Sequence, residues 1–111
     1  MDFDEYQKLA ARTGYGPDTD KNFVLMIYAM GLGGEAGEVL EKLKKPLRDR
    51  GGNIEPEEKE QLKKEMGDVL WYVSELSRFL GMSLSDVAQT NIDKLASRLK
   101  RGALAGSGDN R

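Results

Sequence analysis

The chain contains no cysteine and no histidine. Disulfides and thiolate metal sites are therefore excluded, and so are imidazole ligands and the usual neutral-pH general base. A di-iron carboxylate bundle, which relies on Glu-x-x-His motifs, is excluded on the same ground. Charge of one sign is also lacking: the net charge is -2, although 32% of residues are charged. That balance excludes a domain that grips nucleic acid through a large basic surface. The longest uncharged run, residues 22–34, has 13 residues and three glycines, too short for a bilayer span. The N-terminal MDFDEYQ is acidic and lacks a signal-peptide pattern. A cytoplasmic protein without membrane or nucleic-acid partners is expected.

What is present is enough for one domain: 111 residues, with apolar residues recurring at helical rather than strand spacing. A short helix is expected over residues 3–13, broken by Gly14, Gly16 and Pro17. Asp18 or Asp20 can cap a second helix, which carries Val24, Ile27, Tyr28, Leu32, Val39 and Leu43 and is expected to end before Pro46. Pro56 suits the first turn of a third helix, with Glu57 and Glu58 at its electropositive end and Gly81 as its stop. Ser83 or Ser85 opens a fourth helix running to about Arg101. The fold class is thus all-α, one short and three longer helices in a bundle. The wide apolar stripes suggest that a second copy completes the core. Residues 1–101 form the domain. The small, polar, Gly-rich stretch 102–111 reads as a flexible tail.

Within the helices, four carboxylates form two matched pairs. Glu35 and Glu38 lie in GGEAGEV, and Glu65 and Asp68 in KEMGDVLWYV. Each i, i+3 pair projects from one helix face. At 100° per residue, Val24, Tyr28, Gly31, Glu35 and Glu38 fall within roughly 80°, so the acids continue an apolar stripe. Glu65, Asp68 and Tyr72 flank the stripe of the third helix. If the two helices are antiparallel neighbours, the pairs face each other. Such a cluster repels itself unless a cation compensates it, and Mg²⁺ or Mn²⁺ suits oxygen donors. Solvated faces offer the plainer alternative, since E-x-x-E and E-x-x-D spacings are common in charged helices.

Other features carry competing readings. Gly31, Gly33, Gly34 and Gly37 permit either close helix packing or room for a ligand. The G-x-G-x-x-A match they contain is rejected as a dinucleotide fingerprint, because no strand precedes it. On the fourth helix Asn91, Lys94 and Arg98 share a strip within roughly 60°. Lys and Arg at i, i+4 can clamp phosphate, or can pair with acids on neighbouring helices. Tyr72, one turn beyond Asp68, is a candidate lining residue. Trp71 points to another element or subunit. The basic cluster from Lys42 to Arg50 reads as a solvated helix end.

In these motifs the chain resembles the MazG-like all-α nucleoside triphosphate pyrophosphohydrolases. Their signature is E-x-x-E, a variable gap, then E-x-x-D, here Glu35–Glu38 and Glu65–Asp68 with 26 residues between. The N-x-x-K-L-x-x-R segment from Asn91 to Arg98 is similar to the family's phosphate-binding helix, and EYQKLAARTGY and GSGDNR resemble the ends of small single-domain members. The resemblance implies hydrolysis of a nucleoside or deoxynucleoside triphosphate between its α and β phosphates, giving the monophosphate and pyrophosphate. It implies Mg²⁺ (with Mn²⁺ as substitute) held by Glu35, Glu38, Glu65 and Asp68. Lys94 and Arg98 would hold phosphate, Asn91 and Tyr72 would line the nucleotide site, and Glu38 is the candidate base. Some relatives carry another acid inside the first motif, where this chain has Ala36 and Gly37. Dimers or dimers of dimers are implied too. The competing expectation is a non-catalytic helical module that binds nucleotides or a protein partner, its carboxylates serving as structural ion pairs.

Overall fold

The computed structural model describes residues 1–111 as four helices with no strand. Helix α1 spans Phe3–Ala10 and runs into a 3-10 turn at Ala11–Thr13; α2 spans Lys21–Arg50, α3 Pro56–Phe79 and α4 Leu84–Lys100. The starts follow the side chains available to cap them. Asp2 accepts from the Glu5 N–H (2.8 Å), Asp20 from the Phe23 N–H (2.9 Å) and Ser83 from the Asp86 N–H (3.0 Å), each satisfying an otherwise orphaned donor. Gly51 (φ 61°) and Gly81 (φ 75°) take the left-handed conformation that ends α2 and α3 at little steric cost.

One boundary departs from the sequence reading. α2 does not end before Pro46 but continues to Arg50, with Pro46 inside the helix and its side chain fully buried. A proline in a helix interior costs about 3 kcal/mol. The continuation is secured from outside the helix: Arg50 pairs with Glu58 of α3, and its Nε donates to the Asn53 carbonyl at 3.2 Å. The Gly52 N–H returns to the Pro46 carbonyl at 3.0 Å, closing the turn. The loop to α3 thus locks the last turn that proline alone weakens. In the basic cluster at this end Lys44 pairs with Glu41 and Arg48 with Asp49, while Arg50 reaches across to Glu58.

α2 and α3 form an antiparallel hairpin, the main packing unit of the protein. Tyr28 meets Glu75, Gly31 meets Tyr72, and Glu35 meets Asp68, so each step forward on α2 is matched by one back on α3. Between the helices Tyr28, Trp71 and Tyr72 pack edge to face with centroids 4.9–6.4 Å apart, a favoured aromatic geometry. α1 packs against α3 and α4. The Trp71 Nε1 donates to the Ala10 carbonyl (3.2 Å) and Thr13 Oγ1 (2.9 Å), so the tryptophan meets another element, as expected. Gln7 bridges from α1 to the Met82 carbonyl and the Leu84 N–H, tying down the start of α4.

The protomer is open. Its radius of gyration is 16.9 Å, against about 13 Å for a compact domain of this length. Only nine residues are buried, while Met26, Met30, Leu40, Met66, Leu70, Ile92, Leu95 and Leu99 are exposed. By length and composition alone α2 is also apolar enough to cross a membrane, a match that the 13-residue uncharged run did not reveal. In this fold that stretch forms the hairpin with α3.

Candidate metal and phosphate site

The antiparallel register decides which carboxylates meet. Because α2 and α3 run in opposite directions, the second turn after Tyr28 on α2 lies beside the second turn before Glu75 on α3. Glu35, Glu65 and Asp68 each bring one oxygen within 4.8 Å of the others. Glu35 and Glu65 are half-buried, and Asp68 and Glu38 are exposed. The acids therefore line the hairpin surface; they do not enter a closed core as their flanking apolar residues suggested. Glu38 stands outside the triad yet close enough for its charge to act on Glu35. The Glu35 pKa is raised, first by burial and then by repulsion from Asp68, Glu65 and Glu38. No lysine or arginine pairs with any of the four, and none of their oxygens accepts a hydrogen bond. Tyr6 of α1 feels the same field, its pKa raised by burial first and then by the charges of Asp68 and Glu75. Its proximity to Asp68 had no signal in the sequence, since it depends on how α1 packs against α3.

The glycines divide between the two readings open to them. A Cβ on Gly31 would run into the Tyr72 ring, so Gly31 serves close helix packing. Gly33, Gly34 and Gly37 have nothing within 4 Å of that position. These three leave open space on the turns that bear Glu35 and Glu38. Tyr72 sits one turn from Asp68 with its ring over Gly31, between the acidic triad and the aromatic core.

The basic residues of α4 form a separate group. Asn91 is exposed and makes no hydrogen bond, whereas Arg98 is only 4% exposed. Lys94 and Arg98 pair with Asp109 of the C-terminal stretch, at 3.2 and 3.3 Å, and not with acids on neighbouring helices. No hydrogen bond or ion pair links them to the Glu35–Glu65–Asp68 triad. Of the four carboxylates read from the two pairs, Glu35, Glu65 and Asp68 come together and Glu38 does not, and Lys94 and Arg98 share Asp109.

The most deeply buried carboxylate is one the sequence reading passed over. Glu75 is fully buried, accepts from the Tyr28 hydroxyl at 2.8 Å and pairs with Arg78 at 2.6 Å. The Tyr28 oxygen in turn accepts from the Tyr15 N–H at 2.9 Å, fastening the loop before α2. Gly14 lies so close to the Glu75 carboxylate that a Cβ has no room. An available signal was the E-x-x-R spacing in VSELSR, where small serines flank an acid inside an apolar stripe. Beside this network, Tyr15, Thr19, Lys21, Val24, Arg78 and Phe79 line a cleft of about 470 Å³. Its edge at Tyr28 lies roughly 10 Å along α2 from Glu35, seven residues at 1.5 Å each.

Comparison with known proteins agrees with this architecture. Residues 26–102, which contain both acidic pairs and the strip on α4, match the MazG nucleotide pyrophosphohydrolase domain. The gene 37 protein of Mycobacterium phage L5 is 47% identical over 114 aligned positions, and the alignment covers the whole of both chains. No solved structure matches the chain.

Proposed function

The chain belongs to the MazG nucleotide pyrophosphohydrolase family, and from that premise we propose that it hydrolyses a nucleoside or deoxynucleoside triphosphate between the α and β phosphates. One water is consumed, the α–β phosphoanhydride breaks, and the monophosphate and pyrophosphate leave. The observation that carries this reading is the convergence of Glu35, Glu65 and Asp68 from two helices with no basic side chain to neutralise them.

The donor set fits a hard divalent cation. All ligand atoms are carboxylate oxygens, suited to Mg²⁺ with Mn²⁺ as a substitute. One oxygen from each of Glu35, Glu65 and Asp68 lies within 4.8 Å of the others, near enough for the three side chains to close on one small cation. Glu35, Glu65 and Asp68 would hold the ion, with Glu38 joining from the next turn. When bound, the ion supplies charge neutralisation for the triphosphate and lowers the pKa of coordinated water. Glu38, exposed and outside the triad, would accept the proton that the attacking water gives up. Lys94 supplies a point charge and Arg98 a planar fork for phosphate oxygens, stabilising charge that develops on the leaving pyrophosphate. Asn91 and Tyr72 would contact the nucleoside. The openness at Gly33, Gly34 and Gly37 supports access to the acids from solvent.

The competing reading, a non-catalytic module with structural ion pairs, requires the four acids to be paired. They are not, and that favours the enzyme. A screen of NTPs and dNTPs with Mg²⁺ or Mn²⁺, assayed for pyrophosphate, tests the activity. Pyrophosphate rather than orthophosphate is expected, and Glu38→Ala or Asp68→Ala should abolish it while helicity is kept. Unchanged turnover in both variants would refute the assignment.

A homodimer or dimer of dimers completes this reading. The exposed Met26, Met30, Leu40, Met66 and Leu70 supply apolar surface, and a second copy would cover it. Light scattering measures the assembly directly: a monomer at micromolar concentration contradicts it.

A further inference from the structure

Lys94 and Arg98 already hold an anion, and the chain itself supplies it. The Asp109 carboxylate lies 3.2 Å from Lys94 Nζ and 3.3 Å from Arg98 Nη2. Arg98 Nη2 also donates to the Asp109 carbonyl at 2.8 Å and the Gly108 carbonyl at 3.4 Å. All of its hydrogen-bond partners lie in the C-terminal stretch. That stretch is folded into a hook. Gly102, Gly106 and Gly108 adopt positive φ (68°, 116° and 83°), turns that other residues take only with strain. The Arg111 side chain donates back to the Gly108 and Leu104 carbonyls, and Arg101 donates to the Arg111 carbonyl.

We propose that residues 102–111 are an autoinhibitory strap, in which the Asp109 carboxylate occupies the phosphate position on Lys94 and Arg98 until a phosphate chain displaces it. The inference rests on the reading of Lys94 and Arg98 as phosphate ligands. Two features make the strap a stand-in and not a permanent clasp. Asp109 is 83% exposed, so it can leave without breaking a packed core. Arg98 Nε is buried and has no partner. The strap satisfies Nη2 but leaves Nε, the neighbouring donor on the same edge of the guanidinium. A phosphate group can engage both, as bidentate Arg–phosphate pairs do. An unpaired buried donor is costly, so the ligand that satisfies it has an advantage over Asp109. Exposed ion pairs contribute little individually, and a polyphosphate bearing several charges outcompetes a single carboxylate.

The test measures binding of inorganic pyrophosphate, with Mg²⁺ present, to the full chain by calorimetry. Asp109→Asn and a chain ending at Gly102 should bind it roughly three- to tenfold more tightly than wild type. Added pyrophosphate should also speed amide exchange across residues 102–111 of the wild type. Equal or weaker binding in both tail variants overturns the strap. Lys94→Gln and Arg98→Gln separate the two levels. If neither weakens pyrophosphate binding while helicity is intact, the phosphate reading of α4 fails. If they weaken it and the tail variants gain nothing, only the strap fails. Lys94 is partly exposed, so its variant keeps the test open should loss of buried Arg98 disturb the fold.

Discussion

The acidic triad should destabilise the metal-free protein, and the size of the effect can be worked out. Three carboxylate oxygens lie within 4.8 Å of one another. Two unit charges at that distance repel by about 1 kcal/mol in water and about 3.5 kcal/mol at an effective dielectric near 20. Asp68 is exposed, so the lower figure applies, and salt reduces it further. Facing both Glu35 and Glu65, Asp68 contributes roughly 1–2 kcal/mol of repulsion. The isosteric Asp68→Asn removes it and should raise the melting temperature in EDTA by about 4–8 °C for a domain of this size. Saturating Mg²⁺ should change the comparison. At a hundred times its dissociation constant, a ligand stabilises the folded state by about 2.7 kcal/mol. A tenfold loss of affinity in the variant removes about 1.4 kcal/mol of that gain. The variant's lead should therefore vanish or reverse. Calorimetric melts of both proteins at one protein concentration, in EDTA and in Mg²⁺, give the four numbers needed. If Asp68→Asn melts lower than wild type in EDTA, or if Mg²⁺ shifts both proteins equally, the triad is not a self-repelling cation site.

Three further predictions follow from the packing. Gly31→Ala drives a methyl into the Tyr72 ring, and overpacking of that kind costs about 1–3 kcal/mol. Gly33→Ala meets nothing and should stabilise by up to about 1 kcal/mol through helix propensity, so melting temperatures of the two variants should move apart. Equal melting points would mean that the ring does not sit over Gly31. Tyr28→Phe leaves the buried Glu75 without one donor and the Tyr15 N–H without its acceptor, and should cost about 1–3 kcal/mol in urea unfolding. A neutral result would place water in that network. Glu58 is held below the ordinary carboxyl pKa of 4.5, first by the Glu55 N–H and then by Arg50. Its contribution is present above pH 4.5 and lost as pH falls through the depressed folded value, because only the unfolded state then binds the proton readily. Glu58→Gln should flatten that acidic limb of the stability profile, and a profile parallel to wild type would contradict it.

Much of this protein is written locally. Asp20, Pro56, Ser83 and Gly81 mark helix ends through bonds and backbone angles that involve only nearby residues, so they are readable without the fold. Pro46 misled for the complementary reason. Its local cost is real, but the Arg50–Glu58 contact that carries the helix past it joins residues on different helices. The acidic pairs were legible because i, i+3 spacing fixes a shared face wherever the helix goes. Glu75 was missed because burial is a property of neighbours: Tyr28, Tyr15 and Gly14 close over it from distant parts of the chain.

The sequence by itself determined four helices, the faces they present and the two i, i+3 acidic pairs they carry, because helical periodicity and capping are short-range. Only the tertiary structure decided that Glu35 faces Asp68 and Glu65, that Gly31 is packing while its neighbours are open, and that Lys94 and Arg98 rest on Asp109. Those outcomes depend on antiparallel register and on where the chain folds back, both set by packing among residues far apart in sequence.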